Sequence, residues 1–476
     1  MHMLPVCPGP SSRRSFLQAG AVGLSGLGLA DLLRLQATAQ ENGGKASGNS
    51  KDNDRSVIFV WLPGGPPHME TYDMKPDAPE DYRGEFRPIH TNVAGIDVCE
   101  HLPLHAKCAD KYSLIRSISH GFADHGGGHK KFLTGRDPKE PTGFVNDYPM
   151  VGSMAAKVLE KRNVGIPNYV CGVDNGRQGI DTFSFGAAYL GPATGPFMVP
   201  GDPSDKGFSI QNLALDKSTE SRLDDRSSLL SGLDKLRRDI DRSGTFDGLD
   251  KFNRQAVDLL LSEKARKAFD LSLEDEKTHE RYGKHAWGAR AIMARRLVEA
   301  GCKFVTMVME NPYVSGVPQL KEGVYNWDSH AVNCHLFHDA LVRLPIYDKV
   351  ITALIEDLHA RGLDKKVLLV VTGEFGRTPR VSTSIGTQTG ISQPGRDHWP
   401  NAMSVLVSGG GLKMGQVVGS TNSKGEHPQD RPLSPCDLWA TVFRHLGIDH
   451  RTTTFPDHGG RPMYLLPEGE AIGELI

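Results

Sequence analysis

The sequence predicts an α/β protein with a mostly parallel central sheet and helices on both faces. Continuous apolar runs of strand length recur along the chain, and such runs are typical of strands buried on both faces of a sheet. They occupy Ser56–Leu62, Tyr112–Ser119, Lys303–Val308, Lys366–Thr372 and Ala402–Ser408. Helical patterns lie between them, and this alternation favours parallel strands covered by helices. The length of 476 residues suits one large domain with insertions, or two domains.

Two helices have clear boundaries in the sequence. Pro345–Arg361 carries an apolar stripe with helical spacing and stops at Gly362. Ser434 is a typical N-cap residue followed by a proline, which predicts a helix that runs to Gly447.

Composition divides the rest of the chain. Residues 56–476 are predicted to form the α/β domain, and residues from about 210 to 300 are highly charged with a helical pattern and no strong strand. We expect these charged residues to form a helical insertion that could cover the site. Residues 40–55 are polar and rich in glycine and serine, which predicts a disordered linker.

The first 39 residues have the features of a twin-arginine signal peptide. Arg13 and Arg14 precede Ser15-Phe16-Leu17, a mild apolar run follows, and Ala37-Thr38-Ala39 offers small residues for cleavage. A membrane anchor is the alternative, but the run of Ala19–Leu33 is rich in glycine, contains Asp31 and is shorter than the ~20 apolar residues that a spanning helix needs. We therefore expect export by the twin-arginine translocase to the periplasm or beyond.

Charge and cysteine content narrow the class further. The net charge is -2 and no basic stripe is present, which argues against a nucleic-acid partner. Seven cysteines occur, one of them within the signal, and no two form a Cys-x-x-Cys pair. Twin-arginine substrates fold before they reach an oxidising compartment, so buried thiols are expected rather than disulfides.

Histidines supply the strongest functional pattern. The chain has 19 of them and lacks a Walker A loop, a His-Glu-x-x-His motif and a Gly-x-Ser-x-Gly elbow. Many cluster with acids and glycines near the ends of predicted strands. The four groups are Gly64–Lys75 with His68 and Asp73, Ser119–His129 with Asp124 and His125, Asn326–His330 with Asp328, and Gly373–Arg380 together with Gly395–Trp399.

These groups predict a shared metal site. Ligand sites of open α/β sheets lie at the carboxyl ends of strands, and imidazole with carboxylate is a common ligand set for Zn²⁺ and similar ions. Arg377 and Arg380 suit a bidentate grip on an oxyanion. Each group alone could instead cap a turn or a helix, or lie on a solvated surface, and four together favour a common site.

The motifs resemble a known family. Gly-Gly-Pro-x-His at residues 64–68, Asp-Ser-His at 328–330, Glu-Phe-Gly-Arg-Thr-Pro-Arg at 374–380 and Gly-Arg-Asp-His-Trp-Pro at 395–400 look like the exported family called domain of unknown function 1501. The resemblance covers nearly all of the chain after the signal. That family is similar in turn to the alkaline phosphatase and sulfatase superfamily, which implies a sulfatase-like fold.

The resemblance implies roles for individual residues. Asp328, His330, Glu374 and His398 match metal ligands of the superfamily, with Asp73 or His68 completing the shell. Leu133-Thr134-Gly135 aligns His125 with the nucleophile of a sulfatase and His129 with the arginine four residues later. The glycines 126–128 could let an ester approach the backbone. One or two divalent ions, of zinc, manganese or calcium, are the implied cofactor.

The chain also departs from the superfamily pattern. No serine or cysteine stands at the nucleophile position, which excludes formylglycine chemistry there, and Pro63-Gly64-Gly65 replaces the acid that ends the first strand. The expected function is a metal-dependent hydrolase of phosphate or sulfate esters, sulfated glycans among them. The alternative is a non-catalytic, metal-containing protein that binds anionic glycans. A purely structural envelope protein would leave the histidines unexplained.

Overall fold

The computed structural model describes residues 54–160, 165–175, 178–205, 207–208, 262–313 and 317–476. The signal, nearly all of the linker and residues 209–261 of the predicted insertion lie outside these ranges, so those three predictions stay predictions. Residues 54–476 form one compact unit.

The unit is built on an eight-stranded sheet, which confirms the predicted α/β class. In chain order the strands are β1 (Ser56–Trp61), β2 (Tyr112–Ile118), β3 (Tyr169–Val173), β4 (Phe197–Pro200), β5 (Phe304–Val308), β6 (Val367–Thr372), β7 (Met403–Gly409) and β8 (Val417–Val418). Their spatial order is β8-β2-β7-β6-β1-β5-β3-β4. Only β7 runs antiparallel to its neighbours in this sheet, so the other seven strands share one direction.

Five of these strands coincide, within a residue at either end, with the apolar runs of the sequence. The remaining three, β3, β4 and β8, were not predicted. β3 contains Gly172, β4 ends in Pro200, and β8 is two residues long. β4 and β8 carry too few apolar residues to be distinguished from loops by pattern, whereas β3 is fully buried and its apolar run is interrupted by Gly172.

Both faces of the sheet are covered by apolar packing. Along β1, Val57, Phe59 and Trp61 belong to one buried cluster, whereas the alternate residues Ile58 and Val60 belong to the other. This alternation is what a strand between two layers of helices requires, because successive side chains point to opposite faces.

Ten α-helices lie within the described ranges. They are α1 (Glu80–Arg83), α2 (Pro103–Lys107), α3 (His125–Thr134), α4 (Val151–Val158), α5 (Gln178–Ser184), α6 (Glu263–Phe269), α7 (Glu276–Tyr282), α8 (Ala286–Glu299), α9 (Leu336–Ala360) and α10 (Pro435–His445). Short two-stranded ribbons join segments of the loops at Pro88–His90 with Asp97–Cys99, Gly376–Arg377 with His398–Trp399, Ser382–Ile385 with Ser392–Gly395, Ser420–Thr421 with Pro428–Asp430, and Thr454–Pro456 with Pro462–Tyr464.

Both helices with predicted boundaries are present. α10 begins with the expected cap, in which Ser434 and Asp437 form a reciprocal capping box. α9 begins nine residues before its predicted start, so Pro345 lies inside it. The sequence pattern placed Pro345 in the first turn, where proline is favoured. The structure instead caps the helix with His335, whose Nδ1 accepts from the amide of His338 at 3.3 Å.

The cysteines agree with the expectation of buried thiols. Six of them, at positions 99, 108, 171, 302, 334 and 436, are buried, and none of the six is in a disulfide. Among the described helices none is long and apolar enough to cross a membrane.

His445 provides a test of the packing at the end of the sheet opposite the histidine cluster. It is buried between the carbonyl oxygens of Ser56 and Gly410, and burial lowers its pKa to about 4. The unfolded chain takes up this proton near pH 6.5, so the free energy of unfolding falls as pH drops from 6.5 towards 4, by about 1.4 kcal/mol per pH unit. His445→Gln is expected to reduce the slope of unfolding free energy against pH by that amount.

Urea unfolding at several pH values between 6.5 and 4 measures this slope. The matched control is His90→Gln, because the His90 side chain is 96% exposed. A slope that His445→Gln leaves unchanged would show that His445 does not resist protonation in the folded protein.

Candidate metal centre

Side chains from three of the four histidine groups meet at the edge where the parallel strands end. His125 begins α3 after β2, Asp328 lies in the loop after β5, and Glu374 follows β6 by two residues. His398 lies in the short ribbon opposite Arg377. The carboxyl edge is where the topology of open α/β sheets places ligand sites.

Asp328 is the centre of the cluster. Its Oδ1 lies 3.3 Å from His125 Nε2, 3.0 Å from His330 Nε2 and 3.2 Å from His398 Nε2. Its Oδ2 accepts a hydrogen bond of 2.9 Å from Asn333. Burial alone would raise the pKa of Asp328, but its contacts with the three histidines and the nearby charge of Arg377 outweigh burial and hold the pKa far below its usual range. The carboxylate is therefore anionic at any physiological pH.

Glu374 is a second, fully buried carboxylate. Its Oε1 accepts from the amide of Gly64 at 2.9 Å and lies 2.7 Å from His125 Nδ1 and 3.4 Å from His129 Nε2. Burial would raise its pKa, but His129 and His125 outweigh burial and lower the pKa of Glu374 well below its ordinary value. Its Oε2 is buried and has no hydrogen-bond partner among the described residues. An anionic oxygen buried in this way calls for a cation.

The imidazoles are oriented by partners on their outer sides. His330 Nδ1 lies 2.6 Å from Asp397 Oδ1, and His398 Nδ1 lies 2.6 Å from the carbonyl oxygen of Ala123. A carbonyl only accepts, so His398 donates through Nδ1 and, when neutral, turns the lone pair of Nε2 towards Asp328. Burial lowers the pKa of His398. His125 differs, because its two carboxylate partners outweigh burial and raise its pKa to about 9.

This arrangement fits a divalent cation. One ligand atom each from His125, Asp328 and His398 lie within 4.8 Å of one another, and all three residues are only half-buried. Nitrogen and oxygen donors of this kind suit zinc, manganese and similar ions. His125 Nε2 lies 3.3 Å from Asp328 Oδ1, so this nitrogen faces the same position as the Asp328 carboxylate.

A family model described as "Protein of unknown function (DUF1501)" matches residues 54–476. The chain belongs to the DUF1501 family. No curated protein matches the chain by sequence.

Several solved structures resemble the DUF1501 chain. The lipoteichoic acid synthase LtaP from Listeria monocytogenes is 12% identical over 87% of this chain and 78% of its own, with a TM-score of 0.33. The alkaline phosphatase from the Antarctic bacterium TAB5 is 10% identical over 83% of this chain and 98% of its own, with a TM-score of 0.33. The phosphonate monoester hydrolase from Silicibacter pomeroyi is 11% identical over 83% of this chain and 74% of its own, with a TM-score of 0.36. Likenesses at this level say nothing about the reaction, which depends on the residues.

The DUF1501 structure brings seven of the predicted ligands and catalytic residues into direct contact. They are His125, His129, Asp328, His330, Glu374, Arg377 and His398. His125 was predicted to be catalytic, and the geometry also places it among the candidate ligands. The individual roles stay predictions.

His68 and Asp73 have partners elsewhere in the DUF1501 chain. The carboxylate of Asp73 pairs with Lys75 at 2.9 Å and accepts from Thr421. His68 Nε2 lies 3.0 Å from the carbonyl oxygen of Gly425, and burial lowers the pKa of His68 to about 4. Both residues follow β1 closely, so the sequence predicted that they lie near the site. In the structure the chain turns away from the carboxyl edge of the sheet before it reaches His68.

Arg377 and Arg380 also have partners within the protein. Arg377 is fully buried and donates to Asp328 Oδ1 at 2.5 Å and to the carbonyl oxygens of Gly64 and Gly65. Arg380 is 71% exposed and pairs with Asp81 at 2.8 Å. The predicted grip on an oxyanion is corrected accordingly, because the structure uses Arg377 to hold the loops of the site and Arg380 on the surface.

The glycines after His125 serve packing rather than substrate access. A Cβ atom at Gly126 would lie 2.4 Å from the carbonyl oxygen of Gly143, and one at Gly127 would lie 2.5 Å from that of Pro141. The loop at residues 141–143 therefore packs directly on α3, and the predicted approach of an ester to this backbone is wrong.

Two contributors were missed at the sequence level. Asp397 orients His330, and His120 Nε2 donates to the carbonyl oxygen of Glu374 at 2.6 Å. Asp397 directly precedes His398, so its place in the Gly-Arg-Asp-His-Trp motif was the available signal. His120 lies in the Ser119–His129 group, and its membership of that group was the available signal.

Proposed function

We propose that this protein is a divalent-metal-dependent hydrolase of phosphate or sulfate esters. The observation that carries the proposal is the convergence of His125, Asp328 and His398 beside a buried Glu374 oxygen that has no hydrogen-bond partner in the described part of the chain. A site with three or more N/O ligands and partial exposure is typical of catalytic rather than closed structural metal centres.

Asp328, His398 and His125 would hold the ion, with His330 and Glu374 within reach of the same position. A divalent cation there would polarise an ester oxygen and make a nearby water more acidic. Asp397 and Ala123 fix the rings of His330 and His398, so these side chains are oriented before any substrate arrives. The attacking group is water or the His125 imidazole, because no serine or cysteine stands at that position.

A second candidate is a metal-containing protein that binds anionic glycans without turnover. The specific observation in its favour is the burial of Arg377, whose guanidinium is committed to Asp328 and to backbone carbonyls. A catalytic site for phosphate or sulfate esters commonly uses such a cation to stabilise the developing charge.

Metal analysis and an ester screen separate the two candidates. Elemental analysis of the purified protein is expected to find at least one divalent ion per chain, and a panel of aryl and sugar phosphates and sulfates tests turnover. Bound metal without turnover across the panel would favour the binding protein. Absence of metal, with no thermal shift on adding Zn²⁺, Mn²⁺ or Ca²⁺, would contradict both candidates.

His125→Ala is expected to lower metal content and turnover together, because His125 contributes both a ligand atom and the attacking or proton-transferring group. The measurement is metal stoichiometry and ester hydrolysis on the same preparation. His279→Ala is the control, since His279 contacts the carbonyl oxygen of Leu271 outside the cluster. Lost turnover at full metal content would restrict His125 to the chemical step. Unchanged turnover at full metal content would exclude both roles.

We further propose that the chain is exported by the twin-arginine translocase and works in the periplasm or outside the cell. The support is the Arg13-Arg14 motif with its apolar run and cleavage residues. Replacing both arginines with lysine is expected to leave full-length precursor in the cytoplasm, as seen by fractionation and immunoblotting. Normal processing in a strain without the translocase would refute this route.

A further inference from the structure

A fully buried ion pair lies behind the metal centre and has no part in the function proposed so far. Arg396 is 0% exposed and Glu70 is 1% exposed. Arg396 Nε lies 3.0 and 2.9 Å from the two oxygens of Glu70, and its Nη2 lies 2.6 Å from Oε1. The remaining donors reach the carbonyl oxygens of Thr378 at 3.0 Å and Tyr82 at 2.8 Å. One side chain therefore joins three separate loops.

The main chain of Arg396 is bound as firmly as its side chain. Its amide donates to the carbonyl oxygen of Ser329 at 2.9 Å, and its carbonyl oxygen accepts from Arg377 Nη1 at 3.1 Å. Ser329 directly follows Asp328, and His398 lies two residues after Arg396. Arg396 is thus one of the points that fix the two loops carrying Asp328 and His398 to each other, and the contact of His330 with Asp397 is another.

A buried ion pair is weak evidence for stability, because desolvation of the two charges offsets their attraction. Its geometry is more informative. A planar guanidinium that uses several donors at once fixes distances and angles, which an ammonium or an apolar pair does not. This pair therefore suits the positioning of a site better than the stabilisation of the fold.

We propose that Glu70 and Arg396 are positioning residues that set the spacing between Asp328 and His398 and thereby the affinity of the metal centre. The inference rests on the proposed function, because metal affinity is one of its two readouts. Neither residue touches the metal position itself. They act through Ser329 on one side and through the chain from Asp397 to His398 on the other.

The test uses the full chain with both charges removed, as Glu70→Met with Arg396→Met. Replacing a buried ion pair with apolar residues of similar size commonly preserves stability, so urea unfolding should stay close to wild type. The affinity for Zn²⁺, measured by competition with a chromophoric chelator, should fall by about tenfold or more, as is usual when residues that orient ligands are removed. A merely structural pair would leave the affinity unchanged.

A second readout does not require metal. His398 donates its Nδ1 hydrogen to Ala123 at 2.6 Å, which should give a protected imidazole N–H signal in the NMR spectrum of the metal-free protein. The double variant should lose or shift this signal. If wild-type protein binds no Zn²⁺, the proposed function fails, while the His398 signal still decides whether Glu70 and Arg396 position this ring.

Two further variants complete the test. Arg396→Lys tests the proposal if the double variant does not fold, because it keeps a positive charge opposite Glu70. Lysine lacks the planar fork of donors, so this variant should also weaken Zn²⁺ binding. Glu274→Met with Arg295→Met is the matched control, since Arg295 and Glu274 form another buried pair at 2.6 Å. Wild-type Zn²⁺ affinity and an unshifted His398 signal in folded Glu70/Arg396 variants would overturn the proposal.

Discussion

Asp328→Asn is expected to weaken Zn²⁺ binding by about a hundredfold or more and to leave little metal in the purified protein. The reason is that Asp328 Oδ1 lies within 3.3 Å of three imidazole nitrogens, and the substitution removes its negative charge while keeping its size. Asparagine can still accept the hydrogen bond from Arg377, so the fold should persist. Calorimetric titration and elemental analysis measure the change.

The matched control for Asp328→Asn is Asp97→Asn. Asp97 forms a carboxylate–imidazole pair of 2.7 Å with His90, but both side chains are exposed and remote from the cluster in sequence. Zn²⁺ affinity should be unaffected there. If Asp328→Asn binds Zn²⁺ as tightly as the wild type, Asp328 is not a ligand, and Glu374 is then the carboxylate ligand of the proposed site.

Gly64→Ala is expected to have the largest effect on stability, about 3 kcal/mol or more of unfolding free energy. Gly64 has a φ of +111°, and a Cβ atom on it would lie 2.5 Å from the amide nitrogen of Asp328 and 2.7 Å from the carbonyl carbon of Trp327. Both contacts are with backbone, so the loop that carries Asp328 would have to move. Metal affinity should therefore fall along with stability.

Gly95→Ala separates steric overlap from backbone strain. Gly95 has a φ of +83°, and a Cβ atom there would have nothing within 4 Å. This control should cost only about 1 kcal/mol, the usual penalty for a left-handed conformation. Equal losses in urea unfolding for the two variants would show that the contact between Gly64 and the Asp328 loop is not tight in solution.

The central part of the sheet was predictable because its strands are continuously apolar. β1, β2, β5, β6 and β7 are buried on both faces, and burial of this kind demands apolar residues at every position. Strands at the margin of the sheet are less buried and do not need an apolar residue at every position. β8 has two residues, and β4 is half-buried for half of its length, so neither produces a run that differs from a loop.

The site was predictable in part for a related reason. His125, Asp328 and Glu374 follow strands of common direction, and the sheet brings such residues to one edge whatever their separation in sequence. The pattern could not show which way a loop turns after leaving that edge. Asp73 and Arg380 lie as close to motif residues as the true members do, yet they pair with Lys75 and Asp81. Nor could sequence distinguish a buried arginine such as Arg377 from one that meets a substrate.

The reversed direction of β7 has a consequence for how this edge of the molecule can vary. Leu406 pairs with Val371, so β6 and β7 are adjacent, and the chain between them leaves the sheet and returns to it at the same edge. These thirty or so residues include Glu374, the hairpin Ser382–Ile385 with Ser392–Gly395, and His398. The tip of the hairpin, between Ile385 and Ser392, lies outside the eight-stranded sheet. A longer or shorter tip would therefore leave every strand pairing of that sheet unchanged. The length of that tip can therefore change while Glu374 and His398, at the two ends of the excursion, keep their places.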